Sequence, residues 1–355
     1  MLRIGMQKTE CQMTKIYRSK VPFRISLGGG GTDIPAYTKN YIGSVINTTV
    51  RLFTHTSLIP RNDHRVTFSW INKDEYEEYD FSNELDCSNG LKLFKATHNY
   101  IFKKFNLPII GYDIVSYQDV PTGSGLGTSS TLIVSLIGVY MELFNLPLGE
   151  YDIAEMAVKI ERIELGEYGG QQDQYAAAFG GWNYMEFKGV DVIVNPIRVK
   201  DKIQDELEHN ILLYFTNFTR KSSEVLKSQI KNIDDNNKTA ILSLHALASQ
   251  AKLIKDCLIK GKIDELGEIL DYGYKQKAML ANGIVTPEIE KLYGTAISAG
   301  ATGGKISGAG GGGFIFFYCP NNTKYKVINE LNKLNMGYHQ PFTFNKFGLR
   351  SWQIG

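Results

Sequence analysis

The four cysteines, at positions 11, 87, 257 and 319, form no CxxC pair and stand far apart. That spacing excludes a zinc-ribbon framework and a disulfide scaffold, and it fits a reduced, cytoplasmic setting. The six histidines are scattered too, with no two at metal-ligand spacing. No uninterrupted apolar run reaches the ~20 residues that span a bilayer. An excess of one charge is also missing: 39 basic against 37 acidic residues leave a formal net charge of +2, and the basic residues are dispersed. Without a basic stripe there is no electrostatic footprint for nucleic acid or an anionic membrane. The 20 tyrosines are therefore read as packing residues rather than a base-stacking platform. No GxxxxGK-Ser/Thr run occurs, which excludes a P-loop nucleotide site, and there is no internal repeat or low-complexity tract. Residues 1–14 lack the apolar core of a secretory signal and read as a loose leader. The remaining length is enough for two domains with a real core, with a boundary placed near 205 where charge rises: 15–205 and 206–355.

Glycine is abundant, at 35 residues, and concentrates in three stretches. The chain is organised around one of them, Asp119-Val120-Pro121-Thr122-Gly123-Ser124-Gly125-Leu126-Gly127-Thr128-Ser129-Ser130-Thr131. The apolar run Ile109 to Val115 before it predicts a buried strand, and the residues from Leu132 to Phe144 after it have helical spacing. A glycine and hydroxyl loop that delivers the chain into a helix N-terminus is an anion trap. The backbone can come close, the first N–H groups have no internal partner, and the helix dipole favours negative charge. Hydroxyls at Thr128, Ser129, Ser130 and Thr131 can bond phosphate, or one can give its oxygen to Mg²⁺.

Upstream, alternation from Ile16 to Leu27 predicts two strand pieces broken at Pro22. They end in Gly28-Gly29-Gly30-Gly31-Thr32-Asp33, where four glycines signal backbone held bare against a ligand. Arg24 and Asp33 flank it, a cation and a carboxylate suited to a polyhydroxylated substrate facing a phosphoryl group. Strands are predicted over 44–59 and 65–71, an acidic solvated surface over 74–87, and a helix over 90–105. A further helix spans 151–164, with Glu161 and Glu164 one turn apart, Glu164 being read as solvated. Gly169-Gly170-Gln171-Gln172-Asp173-Gln174 then sets Asp173 near the start of an Ala-rich helical turn. A hairpin over 183–199 and a strand over 211–216 lead to Thr219-Arg220-Lys221-Ser222-Ser223 at the start of a long helix, a second candidate anion site. Helices follow over 239–259, 263–280 and 287–297. The third glycine stretch, Lys305 to Gly313, feeds the strand Phe314–Tyr318 rather than a helix, which rules out a dinucleotide fingerprint. Its Gly308, Gly310 and Gly311 could instead turn backbone N–H groups to a substrate. A helix over 321–334 and a closing strand or hairpin over 337–352 complete the second domain.

These three stretches resemble the GHMP small-molecule kinases, over roughly Val21 to Tyr318. Pro121 to Ser130 resembles that family's ATP-phosphate loop, with Thr128 in place of a Ser and Thr131 in place of an Ala. Lys305 to Gly313 resembles its third motif. Arg24 precedes Asp33 by the spacing found before the sugar-binding Asp of galactokinases, with glycines replacing their Glu-His. Glu161 stands before Asp173 as the Mg²⁺-ligand Glu stands before their catalytic Asp. Arg24 to Asp33 and Gly169 to Gln174 look most like the heptose 7-phosphate kinases, with fucokinase domains next.

The resemblance implies an α+β, two-domain GHMP kinase fold: a ribosomal-S5-like N-terminal domain, a ferredoxin-like C-terminal domain, and an active site between them. ATP would lay its phosphates along Pro121, Gly123, Ser124, Gly125, Leu126, Gly127, Thr128, Ser129 and Ser130. Ser130 and Glu161 would hold Mg²⁺. Asp173 would take the anomeric hydroxyl's proton, or anchor it electrostatically, with Arg24 beside it stabilising the transferring group. Gly29, Gly30, Gly31, Thr32, Asp33, Gly170 and Gln172, with Gly308, Gly310 and Gly311, would hold the sugar, and Thr219, Arg220 and Ser223 its distant phosphate. The implied reaction is C1 phosphorylation of D-glycero-D-manno-heptose 7-phosphate to the 1,7-bisphosphate, on the route to GDP-heptose and surface polysaccharide. An anomeric kinase for a free sugar such as fucose, and a catalytically silent sugar and ATP sensor, are the alternatives. The expected partners are a sugar phosphate and ATP, with no nucleic acid and no membrane, and homo-oligomerisation is left open.

Overall fold

The computed structural model describes residues 15–82, 84–218 and 222–355. The first elements are β1 (Ile16–Gly28), a short turn of helix α1 (Pro35–Thr38), β2 (Gly43–Arg61), β3 (Arg65–Trp70) and β4 (Glu75–Asp80). Then come α2 (Lys92–Phe105), β5 (Gly111–Gln118), α3 (Thr128–Phe144), α4 (Glu150–Val158), α5 (Gln172–Phe179), β6 (Trp182–Lys188) and β7 (Asp191–Pro196). The second half runs α6 (Asp201–Asn210), β8 (Ile211–Thr216), α7 (Ser222–Asp234), α8 (Lys238–Lys260), α9 (Leu266–Ala278), α10 (Pro287–Ala299), β9 (Gly303–Ile306), β10 (Phe314–Tyr318) and α11 (Lys324–Lys333). It closes with β11 (Gly337–His339), β12 (Phe344–Asn345) and β13 (Arg350–Ile354).

A nine-stranded sheet follows the order β13-β1-β2-β5-β3-β4, with β6 and β12 also pairing β2, and β7 pairing β6. A second, four-stranded sheet has the order β11-β8-β10-β9. Every pairing is antiparallel except β3 with β5. β2 reaches both halves of the large sheet because its 19 residues exceed an ordinary strand several-fold. One core lies between the large sheet and α2–α5, and contains Phe68, Phe94, Ile114, Leu136 and Ala177. A second core joins the two sheets: Phe23, Ile25 and Ile46 pack with Ile254, Leu270 and Phe316. The two halves are thus bound through shared apolar burial, not through a polar hinge.

Three expectations need correction. Pro22 does not break β1. The pairing of β13 with β1 covers only Ile16–Lys20, so the proline's missing N–H removes no bond on that side. The β2 register slips between Pro22 and Phe23, and Arg51 and Leu52 are left over as a bulge. Residues 74–87 are not only solvated surface, because β4 pairs β3 with alternate residues half-buried. The final strands do not belong to the second half: β12 and β13 return to the large sheet, and the charged stretch at 200–210 is the helix α6.

His98 on α2 is fully buried. Its Nε2 lies 2.6 Å from the Ser82 carbonyl and its Nδ1 faces the Tyr112 hydroxyl. Burial pushes its pKa down to about 4, with the Ser82 carbonyl pulling partly back. In the unfolded chain the ring takes its proton near 6.5. The stability linked to neutral His98 is therefore complete above that pH and is lost as pH falls toward about 4. Thermal unfolding midpoints should drop across this window, and His98→Leu should flatten that segment of the profile.

Candidate active site

A cavity of about 480 Å³ opens where the two sheets meet. β1 supplies its back wall by strand alternation: Phe23, Ile25 and Leu27 enter the core while Arg24 and Ser26 face the cavity. The loop before α3 supplies Thr122, Gly123, Gly125 and Gly127, and the first turn of α3 adds Thr128, Ser129 and Ser130. Gly127 caps α3 with φ of +85°, a conformation glycine enters without the Cβ penalty. The N-terminus of a 17-residue helix therefore points into the cavity, with free N–H groups and a favourable dipole for phosphate. The third glycine stretch braces this loop from behind. The Phe314 amide donates to the Ser124 carbonyl at 2.8 Å, and a Cβ at Gly125 would stand 2.8 Å from the Ser307 carbonyl oxygen.

Two of the carboxylates on the cavity wall stand close to the glycine loop and the start of α3. Asp173, in the first turn of α5, receives Arg24 Nε and Nη2 on the same oxygen, Oδ1, each at 2.7 Å. Arg24 Nη1 donates to the Gly125 carbonyl, also at 2.7 Å. One arginine thus ties the carboxylate to the glycine loop through Oδ1, and among the described residues none of these bonds uses Oδ2, which lies 3.1 Å from where a Gly127 Cβ would be. Asp173 keeps about 21% of its side chain exposed. The second carboxylate, Glu161, is buried. Residues Lys159–Glu164 wind as a π-helical stretch rather than continuing α4, and π-turns commonly mark functional positions. Glu161 Oε2 accepts from Ser130 Oγ at 2.7 Å and Gln174 Nε2 at 2.6 Å, while Arg162 Nη1 lies 3.5 Å from Oε1. Glu164 points to solvent, as expected.

Residues 92–181 match the GHMP kinases N terminal domain, and residues 254–335 match the GHMP kinases C terminal domain. The D-glycero-alpha-D-manno-heptose 7-phosphate kinase of Campylobacter jejuni is 42% identical over 96% of this chain and all of its own length. The chain belongs to the GHMP kinase family. A crystal structure of a D-glycero-D-manno-heptose 1-phosphate kinase from Bacteroides thetaiotaomicron superposes on this kinase with a TM-score of 0.82 at 36% identity, covering 96% of this chain and 99% of that one. Lactococcus lactis galactokinase, solved with galactose, shares the fold alone: TM-score 0.75, 20% identity, coverage 96% and 95%. The two-domain α+β architecture expected from the motifs is therefore that of this GHMP kinase. Among the described residues no helix is long and apolar enough to cross a membrane.

The kinase fold brings most of the anticipated residues together and leaves several aside. Gly30, Gly31, Asp33, Gly170, Gln172, Ser223 and Gly308 line the cavity. Asp33 is tied down inside the loop: it accepts from the Gly31 amide, the Gln172 amide and Gln172 Nε2 at 3.1, 3.1 and 3.4 Å. A Cβ at Gly170 would stand 1.9 Å from its Oδ2, so Gly170 makes room for that carboxylate. Thr32 does not reach the cavity. Its hydroxyl donates to the carbonyls of Gly29 and Ser44, and Gly29 lies against Ser44, so both shape the turn. Gly310 and Gly311 press on Ile284, whose carbonyl accepts the Gly311 amide at 2.9 Å. Pro121 is exposed outside the cavity, Leu126 is in the core, and Ser124 is buried with its Oγ unpartnered. Thr219 and Arg220 lie outside the described residues. Sequence reasoning assigned no role to Arg162, Gln174, Lys277 or Lys305. Arg162 Nε donates to the Gly170 carbonyl at 3.0 Å, and both lysines stand on the cavity floor.

Proposed function

We propose that this GHMP kinase transfers the γ-phosphoryl group of ATP to the anomeric hydroxyl of D-glycero-D-manno-heptose 7-phosphate, giving the 1,7-bisphosphate. The observation that carries this reading is the placement of Asp173: Arg24 ties its Oδ1 to the glycine loop, and none of these bonds among the described residues uses Oδ2. The hydroxyl proton passes to that oxygen, the sugar oxygen bonds the γ-phosphorus, and the β–γ bridging oxygen leaves with ADP. Arg24 stabilises charge on the transferring group, and the N-terminus of α3 holds the phosphates of ATP. Ser130 and Glu161 would hold Mg²⁺. A hydroxyl beside one carboxylate is a hard-oxygen donor set that leaves positions for phosphate oxygens and water, as this ion requires. Bound there, the ion would neutralise charge on the β- and γ-phosphates. Ser223, with Thr219 and Arg220, is assigned to the distal phosphate. The named relatives support a heptose acceptor, and their names differ in the position of its phosphate. A biosynthetic role feeding GDP-heptose, in the cytoplasm, follows from the same reading.

The test is ADP release on a panel of heptose 7-phosphate, heptose 1-phosphate, fucose and galactose, with the product's phosphate position assigned by ³¹P NMR. The expected result is turnover of the 7-phosphate with a new anomeric phosphate. Preferred turnover of fucose, or of a 1-phosphate, would overturn the substrate assignment. Arg220→Ala should raise KM for heptose 7-phosphate while sparing an unphosphorylated sugar, and equal effects on both would remove the distal-phosphate assignment.

A further inference from the structure

Two ammonium groups on the cavity floor have no part in the transfer step described above. Lys277 on α9 and Lys305 on β9 are only 4% and 3% exposed. Lys277 Nζ donates to the Gly30 carbonyl at 3.1 Å, and Lys305 Nζ reaches the Ile306 carbonyl at 3.4 Å. Each ammonium has three N–H donors, so donors remain on both for a ligand. Holding such groups out of water without a carboxylate in contact is costly. Burial pushes Lys277 down to about 8 and Lys305 well below its ordinary value, while Asp33 pulls both back up.

The floor also holds a space shaped for an occupant. A Cβ built on Gly30 would stand 3.4 Å from Ser26 Oγ, 3.6 Å from Lys305 Nζ and 3.7 Å from Gln172 Nε2. Polar groups from β1, β9 and α5 therefore converge on a point kept clear by one missing side chain. Among the described residues Ser26 Oγ and Gln172 Oε1 are buried without a partner, an arrangement native proteins rarely leave unmet. The charge pattern decides what would meet it. Lys305 stands with Lys277 and Arg24 on one side of the charge balance and with Asp33 and Asp173 on the other, so the floor offers both signs of charge to an occupant. A hydroxyl both donates and accepts, and it suits a floor of mixed ammonium, carboxylate, amide and hydroxyl groups.

We propose that Lys277 and Lys305 are acceptor-binding residues, donating to ring hydroxyls of a sugar pressed against the bare backbone of Gly30. The proposal rests on the sugar-kinase reading above and names the groups that recognise the ring rather than its phosphate.

Lys277→Met, Lys305→Met and Gly30→Ala test it. Gly30 is outside the left-handed region, and the contacts of an added methyl are ordinary van der Waals distances. Gly30→Ala therefore keeps the unliganded fold and fills only the space for the sugar. In steady-state assays all three variants should raise KM for the acceptor roughly ten- to hundredfold, the scale of a lost charged hydrogen bond. KM for ATP should stay unchanged, and the defect should be equal for heptose 7-phosphate and the unphosphorylated heptose. Calorimetric ADP binding serves as the check on folding, and if either lysine variant loses it, Gly30→Ala alone decides. A defect confined to the phosphorylated acceptor, a matching rise in KM for ATP, or an unchanged acceptor KM in Gly30→Ala would each overturn the proposal. Wild-type protein inactive on every sugar would end the parent reading and this one together. An active wild type with unaffected variants would end this one alone.

Discussion

Asp173→Asn is expected to lower kcat by about a hundredfold or more while leaving the dissociation constant for ATP unchanged. The geometry sets both halves of that expectation. Arg24 directs two nitrogens to Oδ1, and an asparagine can keep its carbonyl oxygen there and so preserve the anchor. The other position then becomes an NH₂ group, a donor where the reaction needs an acceptor. The loop that would hold ATP is fixed separately, through the Gly125 carbonyl to Arg24 Nη1 and the Ser124 carbonyl to the Phe314 amide, and the substitution touches neither bond. Single-turnover rates with saturating ATP and acceptor, paired with calorimetric ATP binding, measure the two quantities independently. Near-normal turnover in the variant would show that the anomeric hydroxyl loses its proton elsewhere.

The parts of this site that are local in sequence were readable before any coordinates. A glycine loop with consecutive hydroxyls between a strand and a helix needs no tertiary information to suggest a phosphate cradle, and α3 begins at Thr128, within that loop. Asp173 and Arg24 are separated by 149 positions, and only the family resemblance joined them. Lys277 and Lys305 carried no comparable signal. Lys277 lies in the last turn of α9, where a basic residue is ordinary. It becomes unusual only because α9 packs against β9 and buries both amines. Glycine density misled at Gly310 and Gly311, since a sequence does not reveal whether bare backbone faces a ligand or, as here, the side chain and carbonyl of Ile284. The return of β13 was equally hidden. Its five residues, Arg-Ser-Trp-Gln-Ile, have no pattern that selects β1 over a strand of the nearer sheet. Glu161 turns inward within a π-helical stretch whose residues fit an ordinary helical period, so the expected helix was nearly right while its distortion stayed invisible.

That distortion underlies the second large effect. Glu161→Gln is expected to raise the Mg²⁺ concentration that half-saturates kcat/KM by roughly ten- to hundredfold, a scale set by the loss of supporting groups at metal sites. The carboxylate is 4% exposed, and its Oε2 already takes two donors, Ser130 Oγ and Gln174 Nε2. A glutamine must turn its NH₂ either toward those donors or toward Arg162, 3.5 Å from Oε1. One orientation sets the NH₂ against Gln174 Nε2 and the other against Arg162 Nη1, both donors, and in neither does the Ser130 hydroxyl, which can accept, replace the lost charge. Ser130→Ala provides the contrast: it removes one oxygen donor and keeps the carboxylate, so its shift in Mg²⁺ requirement should be the smaller of the two. Activity titrated with Mg²⁺ at fixed ATP, with unfolding midpoints taken without nucleotide, separates ion binding from damage to the fold. An unchanged Mg²⁺ requirement in a stably folded Glu161→Gln would assign the carboxylate to bracing Ser130 and Gln174, and the ion to other oxygens.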